Sequence, residues 1–217
     1  MQVRNLTIIL LLSLLCMTSC NNDWEDSLPP AEAHLFVRFV SPVGTNILDS
    51  LCIGGEPYSQ VDKKDIQVKC INAWDNEVIT VHSLAWQTIP SGYYWKGKAR
   101  KDGTEMPCMT EGTVLYISWT DSNLFGSENR PANYLASYII TFNSPRIFDS
   151  EETHTVRWDV RVKGNTYDAA SVCEIDGKEY SLVGDAVYDH WSIYYGDELP
   201  SGRAHEVEAQ LTMPVTR

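Results

Sequence analysis

Residues 153–162 constrain the fold more tightly than any other stretch. Val156, Trp158, Val160 and Val162 alternate there with Thr155, Arg157, Asp159 and Arg161. Successive side chains of an extended strand point to opposite faces, so this spacing predicts a strand with one apolar and one wet side. The same period recurs along the chain. Residues 33–40 set Leu35, Val37 and Phe39 against Phe36, Arg38 and Val40, and residues 113–119 align Leu115, Ile117 and Trp119. Residues 134–142 are apolar on both sides, as in a strand covered on both faces. Residues 206–213 alternate as Val207, Ala209, Leu211 and Met213.

Other signals fill the gaps. Residues 65–74 place Ile66, Val68, Cys70 and Trp74 in one phase, which assigns Trp74 to the core along with Trp119 and Trp158. Asp75-Asn76 makes a turn, and residues 77–84 pair back as a hairpin arm. Residues 46–53 read as a further strand. Asp176-Gly177 between two short runs is the clearest hairpin signal, because such a pair supplies the positive φ angles of a two-residue turn. That turn pairs Ile175 with Lys178 and Cys173 with Tyr180, so Cys173, Ile175, Tyr180 and Leu182 share a face. It also sets Glu174 opposite Glu179, a like-charge pair that suits a solvated face better than a bound cation. Past the N-terminal leader, no segment keeps helical spacing for more than two turns. The expected fold is all-β: an antiparallel β-sandwich, immunoglobulin-like or related, forming one domain over 32–217. A polar stretch at 121–133 with Gly126 and Pro131 is the candidate internal boundary.

Ahead of this domain, Arg4 precedes an apolar run from Leu6 to Leu15. Roughly ten residues make a signal h-region and are too few to span a bilayer, which takes about 20. Thr18-Ser19 then lead into Cys20. This arrangement resembles the lipobox of bacterial lipoproteins, which implies that residues 1–19 are a signal peptide and that Cys20 becomes the acylated first residue. Residues 20–31, stiffened by Pro29-Pro30, are then a tether, held durably because more than one acyl chain is involved. Asp23, Glu25 and Asp26 are similar to the acidic signal that sends Bacteroidetes lipoproteins to the outer face of the outer membrane. With Ser41-Pro42, the stretch from Ser144 to Phe148 leading to His154 and Trp158, and the stretch from Glu174 to Glu179, the chain resembles small Bacteroidetes-type surface lipoproteins of unknown function. That resemblance implies a place in the cell envelope and brings no activity and no functional residue with it.

Charge narrows the partners. The 217 residues carry 17 basic and 29 acidic side chains, a net charge of −12. Such a surface repels phosphate backbones, which argues against nucleic acid as a ligand. Cys52, Cys70, Cys108 and Cys173 remain in the exported chain as possible disulfide cysteines, in an oxidising compartment where disulfides form. Buried thiols are the competing reading, and Cys70 fits it by sharing the phase of Ile66 and Val68.

Catalytic signatures are absent. The chain has no Gly-x-Ser-x-Gly elbow, no phosphate-binding glycine loop and no His-Glu-x-x-His, and its five histidines are scattered. No catalytic residue, metal ligand or cofactor is assigned. The aromatics say more. Tyr93, Tyr94 and Trp95 lie beside Gly92 and Gly97 and run into Lys96, Lys98, Arg100 and Lys101, a basic island in an acidic chain. Trp191 and Tyr194 form a second group. Exposed aromatics of this kind stack on sugar rings or anchor protein partners, and they also cover the open ends of sandwiches. The leading expectation is a non-catalytic surface lipoprotein that binds a glycan or a protein, or serves in envelope assembly. The alternatives are an adhesin or pilus-like subunit using residues 206–213 as a donor strand, then a glycan hydrolase or peptidase.

Overall fold

The computed structural model describes residues 32–54, 58–91, 109–120, 133–163, 169–180, 182–188 and 206–217. They form twelve strands: β1 (Glu32–Val40), β2 (Tyr58–Gln60), β3 (Gln67–Asn72), β4 (Val78–Ile79), β5 (Val81–Ile89), β6 (Gly112–Thr120), β7 (Asn133–Asn143), β8 (Thr153–Lys163), β9 (Ala169–Ile175), β10 (Lys178–Tyr180), β11 (Leu182–Tyr188) and β12 (Glu206–Pro214). Sheet A has the order β11-β12-β1-β6-β5-β2, and sheet B the order β10-β9-β8-β7-β3-β4. Every pairing is antiparallel except β1 with β12, which run parallel from Glu32 opposite Glu206 to Val40 opposite Pro214. This is the all-β sandwich that the alternation predicts.

One core fills the space between the sheets. Leu35, Val37 and Phe39 of β1, Leu115, Ile117 and Trp119 of β6, and Ala209, Leu211 and Met213 of β12 face Tyr138, Ile140 and Phe142 of β7 and Val156, Trp158 and Val160 of β8. Trp119 meets Trp158 edge-on at 5.8 Å and 87°, and Tyr138 at 5.0 Å and 73°. Phe39 makes the same kind of contact with Phe142 and Phe148. Edge-to-face packing sets the positive rim of one ring against the negative face of the next, which suits a seam where two inner faces interdigitate. Strands from both sides of the 121–133 stretch enter each sheet, and the core draws on both.

The hairpin at Asp176-Gly177 forms as its residues dictate. Both residues have positive φ, 48° and 78°, and Lys178, Glu179 and Tyr180 lie opposite Ile175, Glu174 and Cys173. The like-charged Glu174–Glu179 pair finds its counter-charge within the sheet, because Arg157 of β8 lies opposite Glu174 on the other side.

Four expectations are corrected. Residues 46–53 contain no strand: Asn46 caps a single-turn helix, Ile47–Ser50, by accepting a hydrogen bond from Leu48 N, and Ile47 and Leu48 are buried. Trp74 leaves the core and is 63% exposed, because β3 stops at Asn72, whose side chain accepts from Trp74 N and starts a turn. Once the strand ends, phase no longer says where a side chain points. The 77–84 arm splits. β4 pairs with β3 for two residues, and β5 then crosses to sheet A to lie against β6. Likewise Leu182 is not part of the Asp176-Gly177 hairpin, since it opens β11 in sheet A.

Candidate functional site

Cys20, Tyr93, Tyr94, Trp95, Cys108, Trp191 and Tyr194 lie outside the described residues, whereas the strands that hold the two aromatic segments are described. Residues 92–108 belong to the connection from β5 to β6, and residues 189–205 join β11 to β12, so both segments spring from sheet A. The register separates their roots. Ile89 lies opposite Gly112, near the Val40 end of β1. Tyr188 lies opposite Glu206, which lies opposite Glu32, which lies opposite Thr120. The two segments therefore leave from opposite ends of the sheet, and their roots do not converge.

The β5–β6 root is firmly built. Phe36, Ile89, Met109 and Val114 form a second buried cluster on the outer face of sheet A, with Tyr116 packed against it. Gln210, fully buried on β12, donates from Nε2 to Thr110 O at 2.9 Å and accepts from Thr110 N at 2.7 Å. A side-chain amide with one donor and one acceptor thus pairs a backbone residue as a neighbouring strand would. Gly112 follows at φ +113°, and a Cβ there would meet Asn46 Nδ2 at 2.9 Å and Asp49 Oδ2 at 3.3 Å. Only glycine suits that conformation and that space. Asn46 Nδ2 donates to Thr113 O, and Asp49 Oδ1 accepts from Thr113 N, so the helix Ile47–Ser50 is tied to the start of β6.

Further along the same face, His34 lies in register between Glu208 of β12 and Ser118 of β6, and all three are buried. Serine, histidine and glutamate in one row invite comparison with a nucleophile relay. The hydrogen bonds run elsewhere. His34 Nδ1 meets Tyr116 Oη at 2.7 Å, and Nε2 lies 3.4 Å from Glu32 Oε2 without hydrogen-bond geometry. A relay needs the histidine bonded to its nucleophile, and no His34–Ser118 hydrogen bond exists among the described residues. His34 belongs to no motif in the sequence. The signal that pointed to it is Phe36, an apolar residue on the side of β1 that a two-layer sandwich would leave wet.

At the Val40 end, His154 Nδ1 lies 2.8 Å from Asp176 Oδ2, and its ring lies 4.2 Å from that of Phe148. Thr155 N donates to Asp176 Oδ1, so Asp176 serves as a turn lock. Among the described residues, no group of three or more His, Cys, Asp or Glu side chains is placed to hold a metal ion.

No disulfide joins Cys52, Cys70 and Cys173 to one another. Cys52 is exposed at the end of the short helix, and Cys70 and Cys173 are buried in the core. Burial pushes the Cys173 thiol up to about 12, with the charges of Glu174 and Asp159 acting in the same direction. Residues 206–213, the terminal segment that a donor-strand role requires, form an interior strand of the chain's own sheet, between β1 and β11. No helix among the described residues is long and apolar enough to cross a membrane. No protein-family model, curated protein or solved structure matches the chain.

Proposed function

We propose that the chain is a lipid-anchored lipoprotein of the outer membrane surface, held through acyl chains on Cys20, and that it binds a glycan or protein partner without catalysing a reaction. The observation that carries this reading is the opposition of two points on sheet A. The tether must enter at Glu32, and the aromatic, basic β5–β6 connection is rooted at the other end of the sheet, beside Gly112. Nine residues of β1 separate these ends by about 30 Å at roughly 3.3 Å per residue. A tether of twelve residues adds at most about 43 Å when extended. A partner gripped at the β5–β6 connection is therefore held clear of the bilayer.

Metabolic labelling with palmitate tests the anchor. Label should enter the wild-type chain and be lost in Cys20→Ala, and an unlabelled wild-type chain would sink the reading. Binding is tested on immobilised polysaccharides. Trp95→Ala should reduce retention while leaving the melting temperature unchanged, and a matching loss of stability would move Trp95 into a structural role.

A further inference from the structure

We propose that sheet A is arranged to withstand a pull along β1. The biological direction of that pull rests on the anchored reading above, but the mechanical response belongs to the fold alone. Force from the tether enters β1 at Glu32, and force from a partner held beside Gly112 enters β6 at the far end of the sheet. β1 and β6 are antiparallel neighbours in register from Glu32 opposite Thr120 to Val37 opposite Leu115. Drawing Glu32 one way and Gly112 the other slides the two strands lengthwise. Every ladder bond between them is then loaded at once, whereas a pull on two adjacent ends at the same edge opens the ladder one pair at a time.

Three further observations support the design. β1 is bonded on both sides, with its nine-pair parallel ladder to β12 loaded in the same lengthwise sense if the C-terminus is held. That ladder continues past the strand, because Val215 N donates to Val40 O at 2.8 Å, and Arg217 is tied to the turn after β7, where its Nη1 donates to Arg146 O at 2.8 Å. The side chains also resist sliding. Leu35, Phe36, Val37 and Phe39 are all buried, with Phe36 on the outer face and the others in the core. A one-residue slip would carry each to the wrong face. A two-residue slip would drag Phe39 away from Phe142 and Phe148. Resistance to forced unfolding is set by this barrier and not by equilibrium stability.

Single-molecule pulling tests the idea on the whole mature chain, with Cys20, Cys52 and Cys108 changed to serine and a ligation tag ahead of Asn21. One handle is placed through Glu111→Cys at the far end of β6, the other through Thr120→Cys beside Glu32. The expected result is a rupture force several-fold higher with the Glu111 handle than with the Thr120 handle, at equal unfolding midpoints in urea. Equal forces would overturn the proposal. So would release of β1 at low force with the Glu111 handle, seen as a gain in length too short for the whole sheet. Because the tag replaces the acyl chains, a failure of palmitate labelling leaves this result standing, and equal forces leave the anchor standing.

Discussion

The two sheets bury their inner faces alike, but their outer faces differ. On sheet B the described outward side chains, Thr155, Arg157 and Asp159 of β8 and Glu174 of β9, are half-buried or exposed, and the charged ones pair. Arg157 Nε donates to Asp159 Oδ1 at 3.0 Å, Ser137 Oγ donates to the same oxygen, and Glu174 flanks Arg157 from β9. The Asp159 hydrogen bond, with the charges of Asp159 and Glu174, raises the Arg157 guanidinium above its ordinary range. On sheet A the outward residues His34, Phe36, Val114, Ser118, Glu208 and Gln210 are buried. Part of the cover is visible, because Met109 and Thr110 fold back from Gly112 across the face and Gln210 receives them. A sheet that faces water on one side keeps a plain alternation, and a sheet that carries a connection on its back must bury polar groups there and pair them. That contrast places the structural demands of the β5–β6 connection on sheet A.

The contrast breaks most visibly at Phe36. If the outer face of sheet A is a second core, Phe36→Ala should cost about 3–5 kcal/mol in urea unfolding, the range of a fully buried phenylalanine. A loss below about 1 kcal/mol would reduce that face to a partly wet surface. Gln210→Ala comes next. It leaves the N–H and C=O of Thr110 without their partners, so a loss of about 1–3 kcal/mol is expected, and ligand retention should fall as the root of the connection loosens. Unchanged stability and retention would show that Thr110 is held by something else.

Cys173, on the inner face of sheet B, gives a third measurement. Its folded thiol is raised to about 12 from an ordinary value near 9, so the folded state keeps a proton that the unfolded chain releases. Stability from this group is complete below about pH 9 and falls by about 1.4 kcal/mol per pH unit from there toward pH 12. Comparing wild type with Cys173→Ala over that window isolates the slope, and parallel curves would refute it. The protonated, buried thiol should also resist alkylation in the native protein while exposed Cys52 reacts. The smallest effect belongs to the outer face of sheet B. Arg157→Ala should change stability by less than about 1 kcal/mol, because exposed ion pairs are screened by water. A loss as large as that at Phe36 would erase the distinction between the two faces.

Much of sheet B was legible from residue order. The alternation at β8 marks its inner face, and Asp176-Gly177 sets the β9–β10 register through turn geometry alone. β7, apolar on both sides, sits between β8 and β3 as expected of a strand away from the edge. Sheet A was legible only in part. β2 is three residues long and leaves no readable period, and β5 begins where a hairpin arm was expected to continue. The polar row at His34 was hidden because histidine, serine and glutamate look alike in sequence whether water or another segment covers them. The aromatic segments stood out by composition, but the separation of their roots to opposite ends of one sheet depends on register, which no local pattern encodes.

Residue order by itself determined most of the longer strands, which side of each meets the core and where the tight turn falls. These are local matters, set by the two-residue period of extended backbone and by the φ angles that glycine and aspartate tolerate. Only the tertiary structure decided which sheet each strand joins, that the first and last strands lie parallel, that Trp74 turns out to water and that the back of sheet A is buried. An alternating strand can satisfy its apolar side against many neighbours. The choice among them is made by packing between residues far apart in the chain, as at the seam where Trp119 meets Trp158.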